Sequence, residues 1–110
     1  MRKKSWDTKA SQAMFKAILK LKTIKEAKKF FRDLLTQEEI IEFAKRWQAA
    51  QMLNQKVPYA EIIRKTKLSS TTVARVSRWL FKGKGGYRLM LNRLKTQTHH
   101  PKLSFEKGLR

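Results

Sequence analysis

The chain contains no cysteine, only two prolines, four glycines and two histidines, and just eight acidic residues among 110. Without cysteine there is no disulfide framework and no thiolate metal site. The two histidines, His99 and His100, stand side by side in a polar tail, where solvated imidazoles are the expectation and no metal site is predicted. No apolar run approaches the ~20 residues that span a bilayer. "MRKKSW" leads into no signal-type apolar core, so a cytoplasmic, nucleoid-associated protein of bacterial type with no membrane partner is expected. No strand pattern and no internal repeat is present. An enzyme is not expected either. There is no acid/base pair, nucleophile arrangement or metal cluster, and the one glycine-rich run, "GKGG", lacks the preceding strand of a phosphate loop.

The scarcity of acid stands against 27 Lys and Arg, a net charge of +19. A compact chain with that charge repels itself, so a polyanionic partner is the natural complement. Residues 1–35 carry eleven basic and three acidic side chains, 36–66 five and four, and 67–110 eleven and one. The middle is nearly neutral, as a core-forming element should be, and both flanks are basic. With 41% hydrophobic residues the chain is globular, and 110 residues make one small domain.

Six helices are predicted. In "WDTKASQAMFKAILKLK" Ala10, Ala13, Met14, Ala17, Ile18 and Leu21 share a face behind an Asp7 or Thr8 N-cap, with Phe15 and Leu19 off that stripe. A helix apolar on more than one side wants more than one partner. Thr23 with Glu26, and Thr36 with Glu39, have capping-box spacing before "IKEAKKFFRDLL" and the long helix whose stripe is Ile40, Phe43, Trp47, Ala50 and Leu53. Pro58 opens a short helix, and Ser69 or Ser70 caps the next. Gly83, Gly85 and Gly86 end that helix through the left-handed conformation glycine tolerates. "YRLMLNRLK" forms the last helix, with Tyr87, Met90, Leu91 and Leu94 on one side. The domain is expected over 1–95, with a flexible basic tail over 96–110.

"AEIIRKTKLSSTTVARVSRWL" has the anatomy of a helix-turn-helix, spanning about 58–82. Ile62, Thr66, Leu68, Val73 and Val76 are spaced to close two helices over a small core. At about 100° per residue, Val73, Val76 and Leu80 turn inward while Thr71, Ala74, Arg75, Arg78 and Lys82 face away. Small and hydroxylated residues at the helix tip suit close approach to base edges, with arginines beyond. Unpaired N–H groups near Ser69 and Ser70 suit a phosphate. The residues expected to touch double-stranded DNA are Arg64, Lys65, Ser69, Ser70, Thr71, Thr72, Ala74, Arg75 and Arg78. Two positions depart from the usual pattern: Ile63 where a small residue is normal, and Lys67 where the turn normally has glycine. A left-handed lysine costs roughly 1–2 kcal/mol. Trp47 is expected in the core. Trp6 is expected to pack across a dimer or lie exposed, and the arm before it to reach DNA backbone.

From Leu35 to Leu94 the chain resembles the Trp repressor family, and is most similar to its Trp-repressor-related (YerC/YecD-type) branch. The resemblance is carried by "LTQEE", by "AKRWQAAQMLNQKVPYAEIIRKTKLSSTTVARVSRWLFKGKGGYRLMLNRL", and by its basic Trp-Leu run before a glycine-rich break and a tyrosine. It implies an all-α, intertwined homodimer whose N- and C-terminal helices interlock, with two reading helices roughly 34 Å apart. The implied function is a sequence-specific transcriptional regulator, a repressor on a roughly palindromic operator. The alternative is a non-specific basic nucleic-acid-binding module, RNA-associated or architectural. The resemblance also implies a ligand pocket at Thr36, Arg46, Arg75, Val76 and Trp79, with L-tryptophan as corepressor. The family has a glycine where Val76 stands and a serine where Trp79 stands, so a closed or reshaped pocket with Trp79 in the core and no cofactor is expected.

Overall fold

The computed structural model describes residues 5–98, with side chains to residue 95. The Met1–Lys4 part of the basic arm, His99, His100 and the remainder of the expected tail lie outside the described residues. Six helices and no strand are found among the described residues: α1 (Lys9–Ile18), α2 (Ile24–Leu34), α3 (Gln37–Asn54), α4 (Tyr59–Thr66), α5 (Ser70–Lys82) and α6 (Gly86–Thr98). None is long and apolar enough to cross a membrane. The chain divides into two compact units, Met1–Ile41 and Glu42–Arg110.

In the first unit each helix start is fixed by a short polar side chain. Thr8, rather than Asp7, caps α1 in a reciprocal box with Ser11. Thr23 Oγ1 accepts the Glu26 N–H at 3.0 Å, but the Glu26 carboxylate reaches one residue further back, to the Lys22 N–H at 2.9 Å. Thr36 and Glu39 form the full box, each side chain accepting the other's backbone N–H at 3.1 and 2.9 Å. Phe30 and Phe31 meet edge to face at 5.6 Å. No residue of α1 or α2 is buried, and Leu19 and Ile24 are 82% and 77% exposed.

The second unit holds the core. Ala49, Ala50 and Leu53 of α3, Ile62 of α4, Leu68 of the turn, Val73, Val76 and Leu80 of α5, and Leu91 of α6 form one buried cluster. All five residues expected to close the helix-turn-helix are in it or, as Thr66, buried beside it. Thr66 is the one buried polar side chain among the described residues. Its hydroxyl donates to the Ile62 carbonyl at 2.7 Å and accepts the Leu68 N–H at 3.2 Å, so the turn carries no orphan at that point.

Two lysines take the left-handed conformation that glycine normally supplies. Lys56, at φ 65°, closes α3 in a Schellman motif: the Val57 N–H reaches the Met52 carbonyl and the Lys56 N–H the Leu53 carbonyl, both at 3.0 Å. Lys67, also at φ 65°, ends α4 with its N–H on the Ile63 carbonyl at 2.9 Å. The missing glycine of the turn therefore does not prevent its geometry; it only strains it. Replacing Lys67 with glycine relieves roughly 1–2 kcal/mol of left-handed strain. Glycine's freer unfolded chain takes back roughly 0.4–1 kcal/mol. A net stabilisation of about 0.5–1 kcal/mol is expected, and a thermal melt in which Lys67→Gly lowers Tm would contradict it.

The break after α5 falls at Gly83 as expected, but for a different reason. Gly83 is extended (φ −86°, ψ −154°), not left-handed. A Cβ there would sit 2.3 Å from the Trp79 carbonyl oxygen, so glycine is required by close approach of the backbone. The positive φ, +94°, belongs to Gly85, whose carbonyl accepts the Leu89 N–H at the start of α6.

Candidate nucleic-acid interface

Helix α5 starts at Ser69, whose hydroxyl accepts the Thr72 N–H at 3.1 Å and donates to Thr72 Oγ1 at 3.0 Å. Ser69 is thus the cap, and Thr72 is half-buried with its hydroxyl engaged by it. Ser70 and Thr71 stand exposed on the first turn, where helical N–H groups have no intrahelical acceptor and the helix end is positive. The β-branched residues then set the inner face. Val73 and Val76 are fully buried and Leu80 nearly so, which turns Ala74, Arg75, Arg78 and Lys82 into solvent. Neither Arg75 nor Arg78 forms an ion pair or hydrogen bond among the described residues. Their guanidinium groups are free to meet an anion or a base edge.

On α4, Arg64 donates to Glu61 at 2.6 Å and Lys65 lies 3.7 Å from the same carboxylate. The hydrogen bond from Arg64 is the main cause that holds the Glu61 carboxyl below its ordinary pKa, with both cations adding to it against some desolvation. A depressed carboxylate pKa stabilises the pair above the ordinary Glu range, and that contribution disappears as pH falls through the lowered value. With both cations exposed and Glu61 only partly covered, the pair is strongly screened. Its significance is competitive: Glu61 occupies both cations expected to hold DNA backbone. Substituting Glu61→Gln should strengthen duplex binding roughly two- to fivefold at low salt. The gain should fade as salt rises, and a weaker complex in a titration of labelled duplex would contradict it.

Two aromatic residues of α5 stand open, and a third, on α3, is only partly covered. Trp79, expected in the core, is 41% exposed. It lines an open groove of about 510 Å³ with Trp47, Lys84, Gly86, Tyr87 and Met90. It sits about 90° from the Val73–Val76–Leu80 stripe, on the flank of α5. Trp47 is only partly buried, packed against the core and stacked on Tyr87 with ring centroids 6.1 Å apart. Burial raises the Tyr87 phenol above its ordinary pKa, with Arg46 pulling the other way. Phe81, 60% exposed, escaped notice in the sequence; it flanks the outer face of α5 beside Ala74, Ser77, Arg78 and Lys82. Its position off the inward stripe was the available signal.

The residues expected around a ligand are placed as follows. Thr36 is the cap of α3 in the first unit. In the second unit Arg46 donates to Glu42 at 3.2 Å and stands 5.8 Å over the Phe43 ring. Arg75 faces solvent, Val76 faces the core with no exposed surface, and Trp79 faces the groove. Among the described residues no cluster of His, Cys, Asp and Glu suits a metal ion.

Comparison with known proteins places this architecture. The model of the family described as Trp repressor protein matches residues 9–95. The uncharacterized protein YerC of Bacillus subtilis (strain 168) is 39% identical over 82 residues, 74% of this chain and 79% of YerC. Among solved structures, a TrpR-like protein from Eubacterium eligens ATCC 27750 superposes with a TM-score of 0.78 at 39% identity, covering 82% of this chain and 93% of that one. A candidate Trp repressor from Staphylococcus aureus gives 0.77 at 36% identity, covering 81% and 89%.

Proposed function

The chain belongs to the Trp repressor protein family, and from that premise we propose that it is a homodimeric, sequence-specific DNA-binding transcriptional repressor acting on a roughly palindromic operator. The observation that carries this reading is the division of α5 into a buried aliphatic face and an outer face of hydroxyls and unpaired arginines. Ser69, Ser70 and the first-turn N–H groups would hold a phosphate, with Arg64 and Lys65 on the neighbouring backbone. Thr71, Ala74, Arg75 and Arg78 would read base edges in the major groove, and Thr72 would hold the helix start in shape.

Dimerisation is supported by what the lone chain leaves exposed. Phe15, Leu19, Ile24, Leu34, Ile41 and Phe43 are all more than 40% accessible, and no residue of α1 or α2 is buried. Isolated helices of 10 and 11 residues are marginal in water, so a second copy covering these faces is the simplest remedy. Light scattering should give a dimer; a monomer at micromolar concentration would remove the palindromic-operator reading.

The corepressor site is proposed not to accept L-tryptophan. Val76 and the Trp79 indole occupy the positions where the family's small residues make room, and Arg46 already holds a carboxylate. Calorimetry with L-tryptophan should show no micromolar binding, and a titration with such affinity would refute this reading. The regulator itself is tested by selecting bound sequences from random duplex and comparing the winner with a scrambled version. Equal affinity for both at every salt concentration would leave only a general basic nucleic-acid-binding module.

A further inference from the structure

We propose that the polar face of α2 is a second DNA-binding surface, one that grips the phosphates of duplex DNA without reading sequence. It rests on the reading of the protein as a DNA-binding regulator, but on different residues. Lys25, Lys28, Lys29 and Arg32 are spaced 3, 4 and 7 residues apart, which places four cations within about 100° of one another on the helix. All four are exposed, with Lys22 exposed just before the cap. The opposite side of the same helix carries Ile24, Ala27, Phe30, Phe31 and Leu34, so the division into an apolar and a cationic face is complete.

A solvated charged helix ordinarily alternates signs, since like charges three and four residues apart destabilise it. Here no alternation relieves the repulsion. Glu26 directs its carboxylate to the Lys22 N–H. Asp33, four residues after Lys29, forms no ion pair with it, and every ion pair among the described residues lies on α3 or α4. Arg32 gives one N–H to the Leu35 carbonyl at 3.1 Å and keeps the rest of its donors. The lysine ammonium groups have no anionic partner within the described residues. From Lys25 to Arg32 the helix rises about 10 Å, the axial length of roughly three phosphates on one DNA strand. Lysine suits this task, because a mobile point charge meets a phosphate without demanding one geometry.

The test uses the full chain and a long duplex carrying the selected site, with binding measured over a range of salt. The triple variant K25Q/K28Q/K29Q should lower the slope of log affinity against log salt by about 2 to 3, since each lost phosphate contact removes roughly 0.9. The ratio of affinities for selected and scrambled sites should not change. A charge-matched variant on α1 and the turn after it, K9Q/K16Q/K20Q, controls for net charge; an equal drop in its slope would overturn the proposal. So would an unchanged slope in the α2 triple, or a triple that loses only structured RNA. Should the triple melt early, the single K28Q is expected to lose a slope of about 0.9. Wild type that fails to prefer the selected site would sink the regulator reading and leave this slope measurement intact.

Discussion

Replacing Arg75 and Arg78 together with alanine should reduce affinity for the selected duplex by roughly 10²- to 10⁴-fold, since each arginine-to-base contact discriminates by about 1–3 kcal/mol. Binding to scrambled DNA should fall far less, so the specificity ratio collapses. The chain should remain as stable as wild type, because both side chains are exposed and bond to nothing among the described residues. This combination separates reading from folding. A double variant that keeps its preference for the selected site would show that α5 does not read bases. A uniform loss on all DNA, with the salt slope reduced, would move both arginines to the phosphates.

Ile62→Ala is expected to have the largest effect on stability. Ile62 is completely buried at the centre of a cluster of nine apolar residues, and its carbonyl accepts the Thr66 hydroxyl. Truncation removes apolar burial and leaves a cavity, at a cost of about 2–5 kcal/mol. For a domain of this size that corresponds to a fall in Tm of roughly 10–30 °C. The loss of DNA binding should follow the loss of fold, with cooling restoring both together. A melt within a few degrees of wild type would mean that the cluster can collapse around the deletion.

The two experiments bear on opposite faces of one motif, and the motif explains why they are separable. Val73, Val76 and Leu80 anchor α5 from below, and Ser69 fixes where it starts. The arginines are carried by that scaffold but add nothing to it. The Glu61 pairing with Arg64 and Lys65 is similar in kind: it sets how available the cations are and leaves the packing alone.

Much of the fold was legible in the residues themselves. The helix-turn-helix core was readable because buried positions in short helices must recur at helical spacing, and Ile62, Thr66, Leu68, Val73 and Val76 obey it without exception. The caps at Thr23, Thr36 and Ser69 were readable because a hydroxyl three residues before a free N–H acts locally. The lysine standing in for glycine at position 67 was visible as a conflict and proved to be one.

Other features were not legible, because they arise between elements and not within them. Trp79 and Phe81 lie on the flanks of α5, where periodicity cannot say whether a large ring is covered; only the neighbouring helices decide that. Gly83 is explained by the approach of a carbonyl that helix-ending rules do not foresee. The stripes of α1 and α2 are apolar in sequence, yet none of their residues is buried among the described residues. Local sequence, then, determined where helices begin, which side of each is apolar, and where the positive charge lies. Those properties depend on a few adjacent residues. Which apolar side chains are actually covered, which aromatics stay open, and which backbone atoms crowd a glycine were decided by packing, because burial and close approach exist only between elements already placed in space.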